Sequence, residues 1–226
     1  MFNKSKKLSI ILIIIFTIFL IVFNKISIFI FSYPKDNLIF AWEIIEINDN
    51  IKKRFDKEFF NLKYNLLSFY SYKKNKDKYF PYIEEKLIEK NMPLDLKYIS
   101  LIESSLNKDA ISKAWAVWIW QFMPETARYY NLEVSDNIDE RYDFKKSTDA
   151  ALDYLSFLYN KFWSWPLALS AYNRWQTAIS NSLKEQNVDN YFDLELNEET
   201  YRYFFKIITI KYILEYYEEK KYFLIF

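Results

Sequence analysis

LDLKYISLIESSLNKDAISKAWAVWIWQFMP, residues 94–124, joins an amphipathic helix, a carboxylate at its rim and a loop rich in aromatic and amide side chains. Leu94, Tyr98, Leu101 and Ile102 recur at i, i+4, i+7 and i+8, which turns one helical face inward. Pro93 suits the first helical position, where a missing N–H costs nothing. Glu103 follows at the rim of that face, close to the helix C-terminus. Partial desolvation and the negative end of the helix dipole both push a carboxyl pKa up there. A carboxyl so placed can act as a general acid near neutral pH. Spacing alone leaves a second reading open, a solvated surface glutamate.

The flanking sequence extends the helical pattern. Ile51, Phe55, Phe59 and Leu62 predict a helix from Ile51 to about Tyr70. The charged run 73–78 (KKNKDK) reads as a solvated break, and Tyr79 to Lys90 as a further short helix. Beyond Glu103, residues 105–117 lack periodicity and read as a loop lining a site. Pro124 opens a helix that Asn131 ends in the left-handed conformation. Residues 136–144 (DNIDERYDF) read as an ion-paired acidic loop around Arg141, in preference to a metal site or a second catalytic carboxylate. Ser147 reads as the cap of a helix bearing Ala151, Tyr154, Leu155, Leu158 and Phe162 on one face. Pro166 opens the next helix, and Asn197 caps a long last one striped by Tyr201, Phe204, Phe205, Ile208 and Tyr212. No strand signal is convincing, and 34–50 reads as extended linker. The expected fold class is all-α.

Lys4, Lys6 and Lys7 precede an apolar run from Leu8 to Phe23 that continues as a weaker patch to Phe31. Residues 8–31 reach the ~20 residues needed to span a bilayer. A cleavable signal peptide competes with an anchor, but no small-x-small cleavage site follows, and the first alanine is Ala41. A buried core helix is the third option, disfavoured by the three leading lysines. The expectation is an uncleaved transmembrane signal anchor with the N-terminus in the cytoplasm and the bulk of the chain outside. Three regions follow: an anchor at 1–33, a linker and helical arm at 34–90, and a domain at 91–226 closed by the C-terminal helix.

Composition narrows the chemistry. The net charge is +1 and there is no histidine and no cysteine. Histidine bases, thiolate nucleophiles and the usual zinc sites are therefore excluded, and no disulfide framework exists. Lysines scattered among acids form no basic stripe, so nucleic acid is not an expected partner. Catalysis falls to carboxylates, hydroxyls, amides or lysine.

Four blocks, Glu103-Ser104, Ala110-Ile111-Ser112-Lys113-Ala114, Gln121-Phe122-Met123-Pro124 and Ala171-Tyr172-Asn173, carry a resemblance. In order and spacing the chain resembles the lytic transglycosylases with a goose-lysozyme-like domain, most of all the membrane-bound D-type members without their carbohydrate-binding repeats. The likeness runs from about Phe40 to about Leu214. It implies a lysozyme-like transglycosylase domain and cleavage of the β-1,4 bond between N-acetylmuramic acid and N-acetylglucosamine in peptidoglycan glycan strands. It implies Glu103 as the single acid and base, with a 1,6-anhydro product. It further implies Ser112, Gln121, Met123, Tyr172, Asn173 and Glu199 as substrate-binding residues, with the Tyr172 hydroxyl on the catalytic carboxylate. No cofactor or metal is expected. The partners are glycan strands, the membrane through the N-terminal helix, and other cell-wall enzymes; the location is the extracytoplasmic side of the cytoplasmic membrane. Two alternatives stand beside this, a lysozyme-type hydrolase and a catalytically degenerate wall-binding protein.

One feature of the composition is anomalous. The chain has no glycine, where average usage predicts roughly 16. Five of its seven tryptophans, Trp42, Trp115, Trp118, Trp163 and Trp175, stand where the resemblance places glycine; Trp120 and Trp165 stand where it places tryptophan. Some bacterial lineages read UGA as glycine, and the expectation is that these five codons are UGA. Were the five tryptophans real, the degenerate reading would lead.

Overall fold

The computed structural model describes residues 11–20, 37–64, 66–112 and 114–223. It divides into two units, Met1–Asn37 and Leu38–Phe226. In the first, residues 11–20 form helix α1, within which the Thr17 hydroxyl donates to the carbonyl of Ile13. Among the described residues no helix is long and apolar enough to cross a membrane. The rest of the expected span, 8–10 and 21–31, lies outside the described residues.

The second unit is helical, as the periodicity predicts. Its elements are α2 (Asp49–Tyr64), α3 (Leu66–Glu89), α4 (Ile99–Ser104), α5 (Pro124–Tyr129), α6 (Phe144–Phe162), α7 (Trp165–Asn173), α8 (Gln176–Gln186) and α9 (Glu198–Phe223). Two short 3-10 turns, Leu94–Tyr98 and Glu140–Tyr142, precede α4 and α6. The core forms around α9, whose Tyr203, Phe204, Phe205, Ile207, Ile208, Ile210, Ile213 and Leu214 are all buried. α7 is buried from Trp165 through Ala171. α2 runs along α9, locked by Glu58, a buried carboxylate that accepts from both Arg202 Nε (2.5 Å) and Arg202 Nη2 (3.1 Å). A bidentate, charge-assisted pair of this kind fixes register as well as adding energy.

Four expectations about local structure are corrected. Residues 34–50 are not all linker: β1 (Asn37–Phe40) and β2 (Glu43–Glu46) form a two-stranded hairpin. So short a hairpin is unstable alone, and long-range partners hold it. The Ile39 N–H donates to the Tyr212 hydroxyl (2.8 Å), Lys211 Nζ donates to the Ile39 carbonyl (2.9 Å), and the Ala41 N–H donates to Asp95 Oδ2 (2.7 Å). The charged run 73–78 is no break; it lies inside α3 together with Pro81. Tertiary packing of Tyr79, Phe80, Ile83 and Leu87 overrides the weak local preference. The residue capping α6 is Asp143, whose carboxylate accepts from the N–H groups of Lys145 and Lys146; Ser147 is buried one turn on and donates to the Asp143 carbonyl. Leu94 is 43% exposed because the Glu103 segment opens as a 3-10 helix. Three residues per turn puts it out of phase with Tyr98 and Leu101, which are buried.

Other local expectations hold. Asn197 Oδ1 accepts from the Thr200 N–H at the start of α9 (2.9 Å). Pro124 opens α5, and Asn131 follows its end with φ 63°. Arg141 is 6% exposed and pairs with Asp139 at 2.6 Å, the ion-paired loop read from the sequence.

Candidate active site

α4 is six residues long and ends at Ser105, which adopts a left-handed conformation (φ 57°, ψ 28°). Its apolar side, Ile99 and Leu101, is fully buried. Glu103, one residue before the end, is only partly exposed, and its carboxyl faces α9. There the Tyr203 hydroxyl donates to Glu103 Oε1. Glu199, Tyr203 and Lys206 form an i, i+4, i+7 row on α9, and all three act on the carboxyl. Burial pushes the Glu103 pKa from 4.5 up to about 7; the Tyr203 hydrogen bond and the Lys206 charge pull it down, and the Glu199 charge raises it. Burial dominates. The Tyr203 and Tyr172 hydroxyls are themselves held well above the usual tyrosine range, mainly by burial, and stay neutral donors.

The loop after α4 folds as a set of tight turns. Isolated bridges pair Ile111 with Val117 and Val117 with Phe122. The buried Arg141 guanidinium pins it: Nη1 donates to the carbonyls of Trp115 (2.7 Å) and Phe122 (3.0 Å). Trp120, 1% exposed, anchors the loop to α6 through an indole N–H donated to Thr148 Oγ1 (3.0 Å). Ser104 reaches the same loop, its hydroxyl donating to the Ile119 carbonyl (3.1 Å).

Of the residues implied by resemblance, Tyr172 and Glu199 interact with this carboxyl, and the others sit on the loop after α4 and at helix ends. Tyr172 lies close enough for the Glu103 charge to raise its pKa, yet its hydroxyl donates to the Trp120 carbonyl (2.8 Å). The tyrosine hydroxyl on the carboxylate belongs to Tyr203, which the sequence reading missed. Its only sequence signal was its place one turn beyond Glu199 on the last helix. Ser112 Oγ accepts from the N–H groups of Ala114 (3.2 Å) and Ala116 (3.0 Å), and Gln121 Nε2 donates to the carbonyls of Trp118 (2.8 Å) and Ala110 (3.3 Å). Both therefore brace the loop's own backbone. Met123, partly exposed, is the residue preceding α5, and Asn173 ends α7. Glu199 is exposed and acts on Glu103 by its charge. Rings of Phe122, Tyr172, Tyr154 and Tyr130 follow one another at centroid distances of 6.4, 5.3 and 5.2 Å, walling one side of the loop and α7.

A partly exposed carboxyl held near neutrality beside a polar-lined loop is a site for acid–base chemistry, and the comparison with known families fits it. The profile of the transglycosylase SLT domain matches residues 81–193, half of the chain. The chain belongs to the SLT domain family. The matched stretch holds Glu103, the pinned loop and Tyr172 but stops short of α9, which supplies Tyr203 and Glu199. The chain is similar to the membrane-bound lytic murein transglycosylase D of Escherichia coli strain K12, at 32% identity over 142 residues. That alignment covers 61% of this chain and 31% of the relative. It is also similar to a putative tributyltin chloride resistance protein of Alteromonas sp. strain M-1, at 35% identity over 114 residues, 48% of this chain and 55% of the relative. The matches thus span about a third to about half of these relatives' length.

Proposed function

We propose that the protein is a peptidoglycan lytic transglycosylase in which Glu103 serves in turn as acid and base. The observation that carries this is the Glu103 carboxyl, raised to about 7 by burial and held by the Tyr203 hydroxyl within an SLT domain. At neutral pH such a group is populated in both protonation states, as a residue that first gives and then takes a proton requires. Protonated Glu103 gives its proton to the glycosidic oxygen between N-acetylmuramic acid and N-acetylglucosamine. Oxocarbenium-like charge at C1 is met by the substrate's own N-acetyl group, outside the usual scheme of two carboxylates. Glu103, now a carboxylate, removes the proton of the muramic C6 hydroxyl, whose oxygen closes on C1 to give the 1,6-anhydro ring. Proximity drives that closure, and water must be kept from C1 for it to win over hydrolysis. Tyr203 aims the carboxyl. Ser112 and Gln121, with Met123, Tyr172, Asn173 and Glu199, lie on the elements around the glycan and contribute to its binding through their free faces and the loop they brace.

We place the catalytic domain outside the cytoplasmic membrane. The apolar run at 8–31 behind three lysines supports an uncleaved anchor, and the Escherichia coli relative is named as a membrane-bound protein.

Digestion of purified peptidoglycan by protein isolated from its native host tests the reading. The expected products carry 1,6-anhydro ends, and Glu103→Gln abolishes their release. Reducing ends in their place assign a lysozyme-type hydrolase; binding to sacculi without release assigns a degenerate wall-binding protein. Undiminished release by Glu103→Gln removes that residue from its role.

A further inference from the structure

Six of the seven tryptophans fall into two classes by backbone conformation. Trp120 and Trp165 are 1% and 3% exposed, and each side chain is used: the Trp120 indole bonds Thr148, and Trp165 stacks on Tyr159 at 4.4 Å. Neither has a positive φ. Trp42, Trp115, Trp118 and Trp163 have φ of 69°, 63°, 63° and 51°. Bulky side chains are outliers in this region, whereas asparagine tolerates it; Asn91, Asn131 and Asn187 occupy it here in the ordinary way. Three of the four tryptophans leave their indoles in solvent, at 73%, 72% and 74% exposure for Trp42, Trp115 and Trp163.

At each of these positions the backbone does a specific job. Ala41 and Trp42 are the two turn residues between β1 and β2, both with positive φ. That is the type I′ hairpin pattern, in which glycine is strongly preferred at the second place. Trp163 ends α6 in the left-handed conformation (φ 51°, ψ 28°), the position most often held by glycine. In the loop over Glu103, the Trp115 carbonyl accepts from Arg141 (2.7 Å), and the Trp118 N–H donates to Ala110 (2.8 Å) while its carbonyl accepts from Gln121 Nε2 (2.8 Å). At these four places glycine adopts the backbone at no steric cost, and although Ala41, Ser105, Leu106 and Gln121 also take positive φ here, none carries so large a side chain as tryptophan; the chain contains no glycine.

We propose that residues 42, 115, 118 and 163 are glycine in the native protein, their codons being UGA read as glycine by the host and rendered as tryptophan in the printed sequence. UGA differs from the tryptophan codon UGG by one base, so a single reading rule accounts for both the missing glycines and the misplaced indoles. Trp175 was expected to share this origin, but with φ −12° the geometry does not carry it. The argument rests on backbone conformation and composition and is independent of the proposed reaction.

The test is peptide mass spectrometry of the protein isolated from its native host, beside the nucleotide sequence of its gene. The expected result is UGA at codons 42, 115, 118 and 163, with each covering peptide lighter by the tryptophan–glycine mass difference. Codons 120 and 165 are expected to be UGG, with tryptophan in their peptides. Tryptophan in the native peptides at the four positions overturns the proposal, whatever the codon. A second measurement compares melting of chains made in a standard-code host with glycine or with tryptophan at all four positions. A higher melting temperature for the glycine chain is expected. A tryptophan chain that is equally or more stable overturns the backbone argument.

Discussion

Replacing Glu103 by glutamine isolates the energetic cost of keeping this carboxyl away from water. In the folded chain its pKa is about 7 against an ordinary 4.5. Between those values the folded state holds a proton that the unfolded state has released, so stability falls as pH rises through that window and is level above it. At about 1.4 kcal/mol per pH unit, the full penalty is about 3 kcal/mol by pH 8. Glutamine cannot ionise, so the variant lacks this pH dependence. The charge on the bond to Tyr203 appears only as Glu103 ionises and is already contained in the pKa of about 7, so it adds no separate pH dependence. The diagnostic quantity is therefore the stability difference, variant minus parent, measured by urea unfolding of the purified chain in mild non-ionic detergent at several values between pH 4.5 and 8. That difference should grow by about 3 kcal/mol in favour of the variant, equivalent to about 6–12 °C in melting temperature for a domain of this size. A difference that stays flat across the window means Glu103 titrates as an ordinary surface carboxylate, and the acid–base assignment loses its physical basis.

Tyr203→Phe removes the hydrogen bond from its hydroxyl that favours the Glu103 carboxylate. A charge-assisted bond worth about 1.5–3 kcal/mol corresponds to an upward shift of about 1–2 pH units. Carboxyl 13C NMR, with the Glu103 resonance assigned by its loss in Glu103→Gln, reads this directly; an unchanged or lower value refutes the role given to Tyr203. Arg141→Ala removes the buried guanidinium that pairs with Asp139 and donates to the Trp115 and Phe122 carbonyls, and unfolding by denaturant should show a loss of about 3–5 kcal/mol. Arg141→Lys should restore little of it, because a single ammonium cannot reach Trp115, Phe122 and Asp139 together. Thr148→Val strands the buried Trp120 indole N–H at a cost of about 1–3 kcal/mol; a variant as stable as the parent by thermal melting would show that the loop is not anchored there.

The features legible in the sequence are those fixed by neighbours a few residues away. Hydrophobic spacing located α2, α6 and α9, Asn197 and Pro124 announced helix starts, and Arg141 declared its ion-paired loop through adjacent acids. Glu103 stood out because an apolar helical face ended beside it, and four short blocks were enough to point to the family. The hairpin was hidden because its four-residue strands lack length and its Ala41-Trp42 turn lacks the glycine that signals one. The run 73–78 looked like a break because charge density says nothing about what a helix packs against further along. The partner of Glu103 was beyond sequence reasoning of this kind: Tyr203 lies 100 residues away, and only the packing of α9 against α4 brings it there. The raised pKa has the same origin, since dipole and rim position are local but desolvation needs the whole fold closed around the carboxyl. The tryptophans divide on the same line. Sequence alone showed a chain without glycine; the sign of φ at each tryptophan depends on how turns close in three dimensions, and only the structure set Trp42, Trp115, Trp118 and Trp163, with positive φ, apart from Trp120 and Trp165.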